Sequence, residues 1–108
     1  MAYDEVLADR LRERLRDRGG VAEKRMFGGV AFPTHGNLTV GVRRDDLLAR
    51  VGPEAAEAAL ARPGVRPFES RGRTMRGWVL VAGEHLDDGD LDRWLAEAGD
   101  FVATLPPK

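Results

Sequence analysis

The sequence predicts an α+β fold in which helices pack on an antiparallel sheet of about five strands. Apolar residues recur at helical spacing near both ends of the chain and once in its middle, while the intervening stretches are short β-type runs bounded by turn residues. The runs follow one another instead of alternating with helices, which favours an antiparallel sheet. The chain has 108 residues and no internal repeat or linker, so we expect residues 1–108 to form one domain.

The first predicted helix covers about residues 3 to 18. Its apolar stripe repeats every four residues, at Tyr3, Leu7, Leu11 and Leu15, and the other positions are mainly charged. Asp4 is a suitable N-cap, and the Gly19-Gly20 pair supplies the conformational freedom with which helices commonly end. The segment therefore has one face for a core and one for solvent.

An antiparallel meander is predicted next. Its β-type runs are residues 24–27, 30–32 and 38–42, with a further run at 47–51 that either forms its own strand or continues the preceding hairpin. Turn residues separate the runs at Gly28-Gly29, His35–Asn37 and Arg43–Asp46. The Gly28-Gly29 pair is interpreted as a bulge or tight hairpin, because it lacks the spacing of a phosphate-binding loop.

The second half of the chain predicts a helix, two strands and a final helix. Pro53 suits the first position of a helix over residues 54–61. Residues 65–70 form a short or edge strand, because Pro67 cannot donate to an interior ladder, and the nearly continuous apolar run 77–82 indicates a strand buried on both faces. Apolar spacing from Leu91 to Leu105 predicts the last helix, giving the order α-β-β-β-α-β-β-α.

Charge is distributed unevenly along the chain. Residues 21–82 contain ten Lys and Arg against six Asp and Glu, whereas residues 83–108 contain two against seven. Such a difference either steers a partner and joins copies of the chain, or reflects solvated faces whose signs happen to differ. An uncovered edge strand would also support a homodimer.

Several classes of function are disfavoured by the composition. The chain has no cysteine, so disulfides and thiolate chemistry are excluded, and its two histidines lack carboxylates at ligand spacing. Its one serine, Ser70, lies outside any nucleophile-elbow motif. We therefore expect no enzyme activity, cofactor or metal. The absence of a signal peptide or a long apolar run predicts a cytoplasmic protein without membrane association.

The candidate functional residues are five cations: Lys24, Arg25, Arg71, Arg73 and Arg76. They would form one basic patch if the first strand and the Gly72–Gly77 segment lay on the same face, with Phe27 or Trp78 available for stacking. The alternatives are a solvated rim, a surface for a protein partner and a nucleic-acid surface. The two tryptophans, Trp78 and Trp94, are interpreted as core anchors because each lies in an apolar periodic run.

Two glycine-anchored segments, KRMFGGVAF at residues 24–32 and GRTMRGWV at residues 72–79, resemble the N-terminal domain of the TfoX/Sxy family of competence regulators. The likeness covers nearly the whole chain and extends to Met1–Asp4, Leu48–Glu54 and Leu105–Lys108. It implies a similar α-β-β-β-α-β-β-α layout, like that of secretion chaperones, in a stand-alone member without the family's C-terminal domain. The family offers no catalytic residues to transfer. The resemblance implies a non-enzymatic regulatory module that acts through protein contacts, including transcriptional regulation; the alternative is nucleic-acid binding through the basic patch.

Overall fold

The computed structural model describes residues 3–26 and 28–108, so the predicted stacking role of Phe27 lies outside the described residues. The described chain forms three α-helices, six β-strands and one 3-10 turn at Gly83–His85. The helices are α1 (Glu5–Leu15), α2 (Pro53–Ala59) and α3 (Asp88–Val102). The strands are β1 (Lys24–Met26), β2 (Gly29–Thr34), β3 (Asn37–Arg43), β4 (Asp46–Arg50), β5 (Val65–Ser70) and β6 (Arg73–Ala82).

The strands form one antiparallel sheet in the order β1-β2-β3-β4-β6-β5. The predicted α+β class is confirmed, but the sheet has six strands instead of about five. The additional strand is β4, which the sequence left open as a continuation of the preceding hairpin. Arg43 pairs with Asp46, so only Arg44 and Asp45 form the turn, and β4 becomes an interior strand between β3 and β6.

One face of the sheet carries the main core. Strand residues alternate between faces, so Val40 and Val42 of β3 and Val79 and Val81 of β6 lie on the face covered by helices. Trp94 of α3 is 2% exposed within this core, which confirms its predicted role as an anchor. The helices therefore cover one face of the sheet, and a smaller cluster of apolar side chains lies on the opposite face.

The second cluster lies on the opposite face and consists of Leu48, Phe68 and Leu80, with the half-buried Trp78 packed against it. The rings of Phe68 and Trp78 have centroids 6.2 Å apart, and the guanidinium carbon of Arg50 lies 5.3 Å from the Trp78 ring centroid. Residues 79–81 are buried although they alternate between the two faces. This confirms the prediction that the strand is buried on both sides, while Trp78 belongs to the rim of the smaller cluster instead of the main core.

Ion pairs fix α1 against α3. Arg10 and Arg14 both contact the Asp88 carboxylate, at 3.1 Å and 2.9 Å, and Arg14 also contacts Asp92 at 2.6 Å. The Asp4 carboxylate accepts hydrogen bonds from the backbone N–H groups of Val6 and Leu7, as predicted for the N-cap of α1. The charged face of α1 thus forms ion pairs with α3. Over the described ranges, no helix has the length and apolar character to cross a membrane.

Candidate interaction surface

The five predicted cations do not gather into one patch. Lys24 and Arg25 lie on β1 at one edge of the sheet, whereas Arg71, Arg73 and Arg76 belong to the β5–β6 hairpin at the other edge. Three strands separate β1 from β6, a lateral distance of roughly 19 Å. One row of paired residues crosses the sheet from Arg25 through Val30, Val42, Leu47 and Val81. Val81 pairs with Val65 and Arg73 pairs with Ser70, five residues further along β5, so Arg73 is displaced by roughly a further 17 Å along the strand.

The β5–β6 hairpin ends in a two-residue turn that exposes cations. Ser70 pairs with Arg73, and the intervening Arg71 and Gly72 have φ angles of 55° and 76°. Two consecutive positive φ angles are typical of the type I′ turn that matches the twist of a hairpin. Arg71, Arg73 and Arg76 are exposed, and none forms a salt bridge with a described residue. Their guanidinium groups are therefore available to a partner.

An irregular bulge interrupts the pairing of β6 with β5 a few residues after this turn. Pro67 pairs with Val79 while Glu69 pairs with Thr74, so the four residues from Met75 to Trp78 lie opposite Phe68 alone. Gly77 has a φ of 90°, a conformation that favours glycine, and its carbonyl accepts hydrogen bonds from the N–H groups of Val51 and Gly52 at 2.9 Å and 3.1 Å. The bulge thereby fixes the middle of β6 against the beginning of α2.

Between the bulge and α2 lies a groove of about 150 Å³, here called the α2–hairpin groove. Pro53, Ala56 and Glu57 of α2, together with Leu60 at the C-cap of that helix, form one wall. Pro67 and the segment from Thr74 to Val79 form the other. Leu60 and Met75 line this groove with 43% and 37% of their surface exposed, whereas the other large exposed apolar side chain among the described residues, Val6, lies outside it. The groove thus brings two of the exposed large apolar side chains of the described residues together on one concave surface.

The charges around the groove differ between its walls. Arg76 lines the hairpin wall and Glu57 lines the helix wall, while Arg71 and Arg73 lie further along the same hairpin, near its turn and outside the groove lining. Arg66, the remaining arginine of the hairpin, is already paired with Asp46 at 2.7 Å. An occupant of the groove would therefore meet the unpaired Arg76 on the hairpin side and Glu57 on the helix side, and would reach Arg71 and Arg73 by extending along the hairpin toward its turn.

Comparison with known protein families matches residues 13–102 to the TfoX N-terminal domain. The chain belongs to this family. The match includes α2, the whole β5–β6 hairpin and therefore both walls of the α2–hairpin groove. Comparisons with curated proteins and with solved structures find no match. The family match and the α+β fold thus define this chain as a TfoX-family domain.

In this TfoX-family domain, Lys24 and Arg25 protect an edge of the sheet. Strand β1 has only three residues, and both cations are exposed on it. Short strands with cationic side chains discourage pairing between the edges of two sheets. This geometry favours the solvated-rim interpretation for Lys24 and Arg25.

The pKa shifts in the TfoX-family domain occur where α1 contacts its neighbours. Hydrogen bonds from Arg10 and Arg14 lower the pKa of the Asp88 carboxyl. A hydrogen bond from Arg12 lowers the pKa of Glu23, and Arg12 contacts that carboxylate at 2.9 Å. None of these groups lines the α2–hairpin groove. Within the described ranges, no group of three or more His, Asp or Glu side chains is placed to hold a metal ion.

Sequence reasoning identified the arginines of this surface but missed its apolar part. Leu60 follows α2 and Met75 lies within the arginine-rich segment, so neither belongs to a clear periodic core pattern. A large apolar residue outside any periodic core pattern is a signal of an exposed apolar side chain, and Leu60 and Met75 both have this signal. Their meeting depends on the bulge in β6, which the sequence pattern does not reveal.

Proposed function

We propose that this domain is a non-enzymatic interaction module whose α2–hairpin groove binds an acidic segment of a partner protein that carries apolar anchor residues. The observation that carries the proposal is a groove lined by two exposed apolar side chains, Leu60 and Met75, and by the unpaired Arg76. The unpaired Arg71 and Arg73 lie further along the same hairpin. In the role that the TfoX/Sxy resemblance implies, such contacts would act in transcriptional regulation in the cytoplasm.

The chemistry of the groove supports a protein segment as its occupant. At about 150 Å³ the groove holds one or two apolar side chains, too little for most small-molecule ligands. Contact would remove Leu60 and Met75 from water, which is favourable by about 25 cal/mol for each Å² of apolar surface. Arginine also binds carboxylates with two parallel hydrogen bonds, which adds orientation to the attraction.

Nucleic-acid binding is the second hypothesis, and the same experiment decides between the two. Arginines of the hairpin would also suit phosphate groups, but the separation of Lys24 and Arg25 from them leaves three cations where five were expected to act together. An extended phosphate backbone gains affinity from each cation it contacts. The structure therefore favours the protein partner.

The test is affinity capture from native lysate, with and without nuclease, read by quantitative mass spectrometry. The groove variants are Met75→Ser and the double variant Arg73→Glu/Arg76→Glu. Val6→Ser is the matched apolar control, because Val6 is exposed outside the groove, and Lys24→Glu/Arg25→Glu is the control with the same change of net charge. Circular dichroism of all four variants tests whether each is folded before its capture is compared.

We expect proteins that survive nuclease, remain with both controls and are lost from both groove variants. An acidic peptide from such a protein should then bind the purified domain in calorimetry, and Met75→Ser should weaken that binding. Equal capture by all variants, or equal loss from the controls, would show that the groove is not the contact site. Capture that disappears with nuclease would support nucleic-acid binding instead.

A further inference from the structure

A second cavity of the described structure lies away from the interaction surface. It has a volume of about 620 Å³ and lies between the C-terminal ends of α1 and α3 and the β2–β3 hairpin. We call it the α1–α3 cavity. Its volume falls in the range typical of small-molecule sites, about 300 to 1,000 Å³. Its apolar wall is formed mainly by Leu15, Phe32, Val40, Leu95, Val102 and Leu105.

The wall of the α1–α3 cavity also contains two buried polar residues. Asn37 and Thr39 are 3% and 5% exposed, and both line the cavity. They are the buried polar side chains of the described core, whose other members are apolar. Burial of a polar group is unfavourable unless it finds a hydrogen-bond partner. The concentration of both residues in one cavity wall therefore requires an explanation.

The hydrogen bonds of these two residues leave one acceptor of the cavity wall open. The Thr39 hydroxyl lies 3.0 Å from the Asn37 carbonyl oxygen and 3.1 Å from the Thr34 hydroxyl, so its single proton is used within the wall. Asn37 Nδ2 donates to the Pro106 carbonyl oxygen at 2.9 Å, which fixes the orientation of the amide. Its other polar atom, Oδ1, accepts no hydrogen bond from the part of the chain that the structure describes.

The surroundings of Asn37 limit the charge of a ligand. Arg18 and Asp100 both line the cavity and carry opposite charges, so the lining favours neither an anion nor a cation. The body of the cavity is apolar, which disfavours a charged group further inside. An uncharged molecule with a donor for Asn37 Oδ1 satisfies both conditions.

We propose that the α1–α3 cavity binds a small, uncharged, largely apolar molecule that donates one N–H or O–H hydrogen bond to Asn37 Oδ1. The apolar wall supplies the affinity, and the amide selects molecules with a donor. The C-terminal segment completes the site: Lys108 N–H donates to the His35 carbonyl oxygen at 2.8 Å, and Pro106 holds the Asn37 amide. This site is independent of the α2–hairpin groove, which shares no lining residue with it.

The test is a titration of the ¹⁵N-labelled domain with indole, which is apolar and has one N–H donor, followed by heteronuclear NMR. The control ligand is 1-methylindole, which has nearly the same shape but no donor. Gly99 lines the cavity, so Gly99→Leu should place a side chain inside it. The backbone should tolerate this change, because a Cβ at Gly99 meets only the end of the Arg18 side chain, at 3.4 Å. Gly89→Leu is the matched control on the same helix, since its Cβ makes only an ordinary 3.6 Å contact with Asp87.

We expect indole to cause saturable shifts at the Asn37 side-chain amide and at cavity residues such as Leu95. Loss of one hydrogen bond should make 1-methylindole bind roughly three- to tenfold more weakly. Gly99→Leu should abolish the saturable shifts, and Gly89→Leu should retain them. Shifts that do not saturate, or that persist in Gly99→Leu, would overturn the site. Equal affinity for 1-methylindole would overturn the role of Asn37.

Discussion

Replacement of Gly77 by alanine tests the backbone geometry on which the α2–hairpin groove depends. Gly77 has a φ of 90°, and a residue with a Cβ in a sparsely populated region of this kind costs of order 1–3 kcal/mol. The added Cβ would also lie 3.3 Å and 3.4 Å from backbone atoms of Gly52. Those atoms are held by the hydrogen bond between Gly52 N–H and the Gly77 carbonyl, so they cannot move aside independently. We therefore expect Gly77→Ala to lower the free energy of unfolding by more than the unfavourable φ angle alone would.

The matched control is Gly72→Ala. Gly72 also has a positive φ, of 76°, but a Cβ there has nothing within 4 Å, so this variant measures the conformational cost without the crowding. Urea unfolding should give a larger loss of stability for Gly77→Ala than for Gly72→Ala, with a loss of about 1–2 kcal/mol for the control. Equal losses would refute the close approach to Gly52. A stable Gly77→Ala variant would refute the strained conformation itself.

Three further predictions concern the framework around the sites. Leu48→Ala should cost about 2–5 kcal/mol in urea unfolding although no helix covers Leu48, because the side chain is 2% exposed; a loss below 1 kcal/mol would contradict its role in a second core. Asp4→Ala should cost about 0.5–2 kcal/mol through loss of the α1 cap, whereas Asp4→Ser should recover much of it, and an equal loss in both would exclude capping as the cause. Because Arg10 and Arg14 lower the folded-state pKa of Asp88, its stabilising effect is present above the ordinary aspartate pKa of about 3.9 and is lost as pH falls through the lowered value. The stability difference between wild type and Asp88→Asn should accordingly shrink between pH 7 and acid; a difference independent of pH would contradict the ion pair.

The elements of the fold were largely predictable because each has a local signal. The four-residue repeat and Asp4 identified α1, Pro53 identified α2, and the apolar run at residues 77–82 identified a strand buried on both faces. The status of β4 remained open because Arg43–Asp46 has the composition of a four-residue loop. In the structure Arg43 and Asp46 pair with each other, so half of that polar segment belongs to the strands.

The candidate sites were less predictable because they depend on strand order and register. The five cations do not form the single basic patch that was considered, because β6 pairs with β4. This pairing places the β5–β6 hairpin at the opposite edge of the sheet from β1. The groove depends on the four bulged residues opposite Phe68, and composition carries no signal for such a mismatch. The α1–α3 cavity was not anticipated at all, since Asn37 has the local signature of a turn residue and its contact with Pro106 spans 69 positions.

The pairing of β4 with β6 has a consequence for how the domain folds as a unit. Strands β1 to β4 pair with their sequence neighbours, as do β5 and β6, so among the described strands the ladder between Asp46–Arg50 and Trp78–Ala82 alone joins the two groups. A two-stranded hairpin is marginally stable by itself, so the β5–β6 arm relies on this seam for its order. Amide protons of the seam should therefore exchange only with global unfolding, while the hairpin tip with Arg71 and Arg73 opens locally and far more often. The cations nearest the hairpin turn are therefore expected to be the most mobile part of the surface offered to a partner, and the strands at the β4–β6 seam the least mobile.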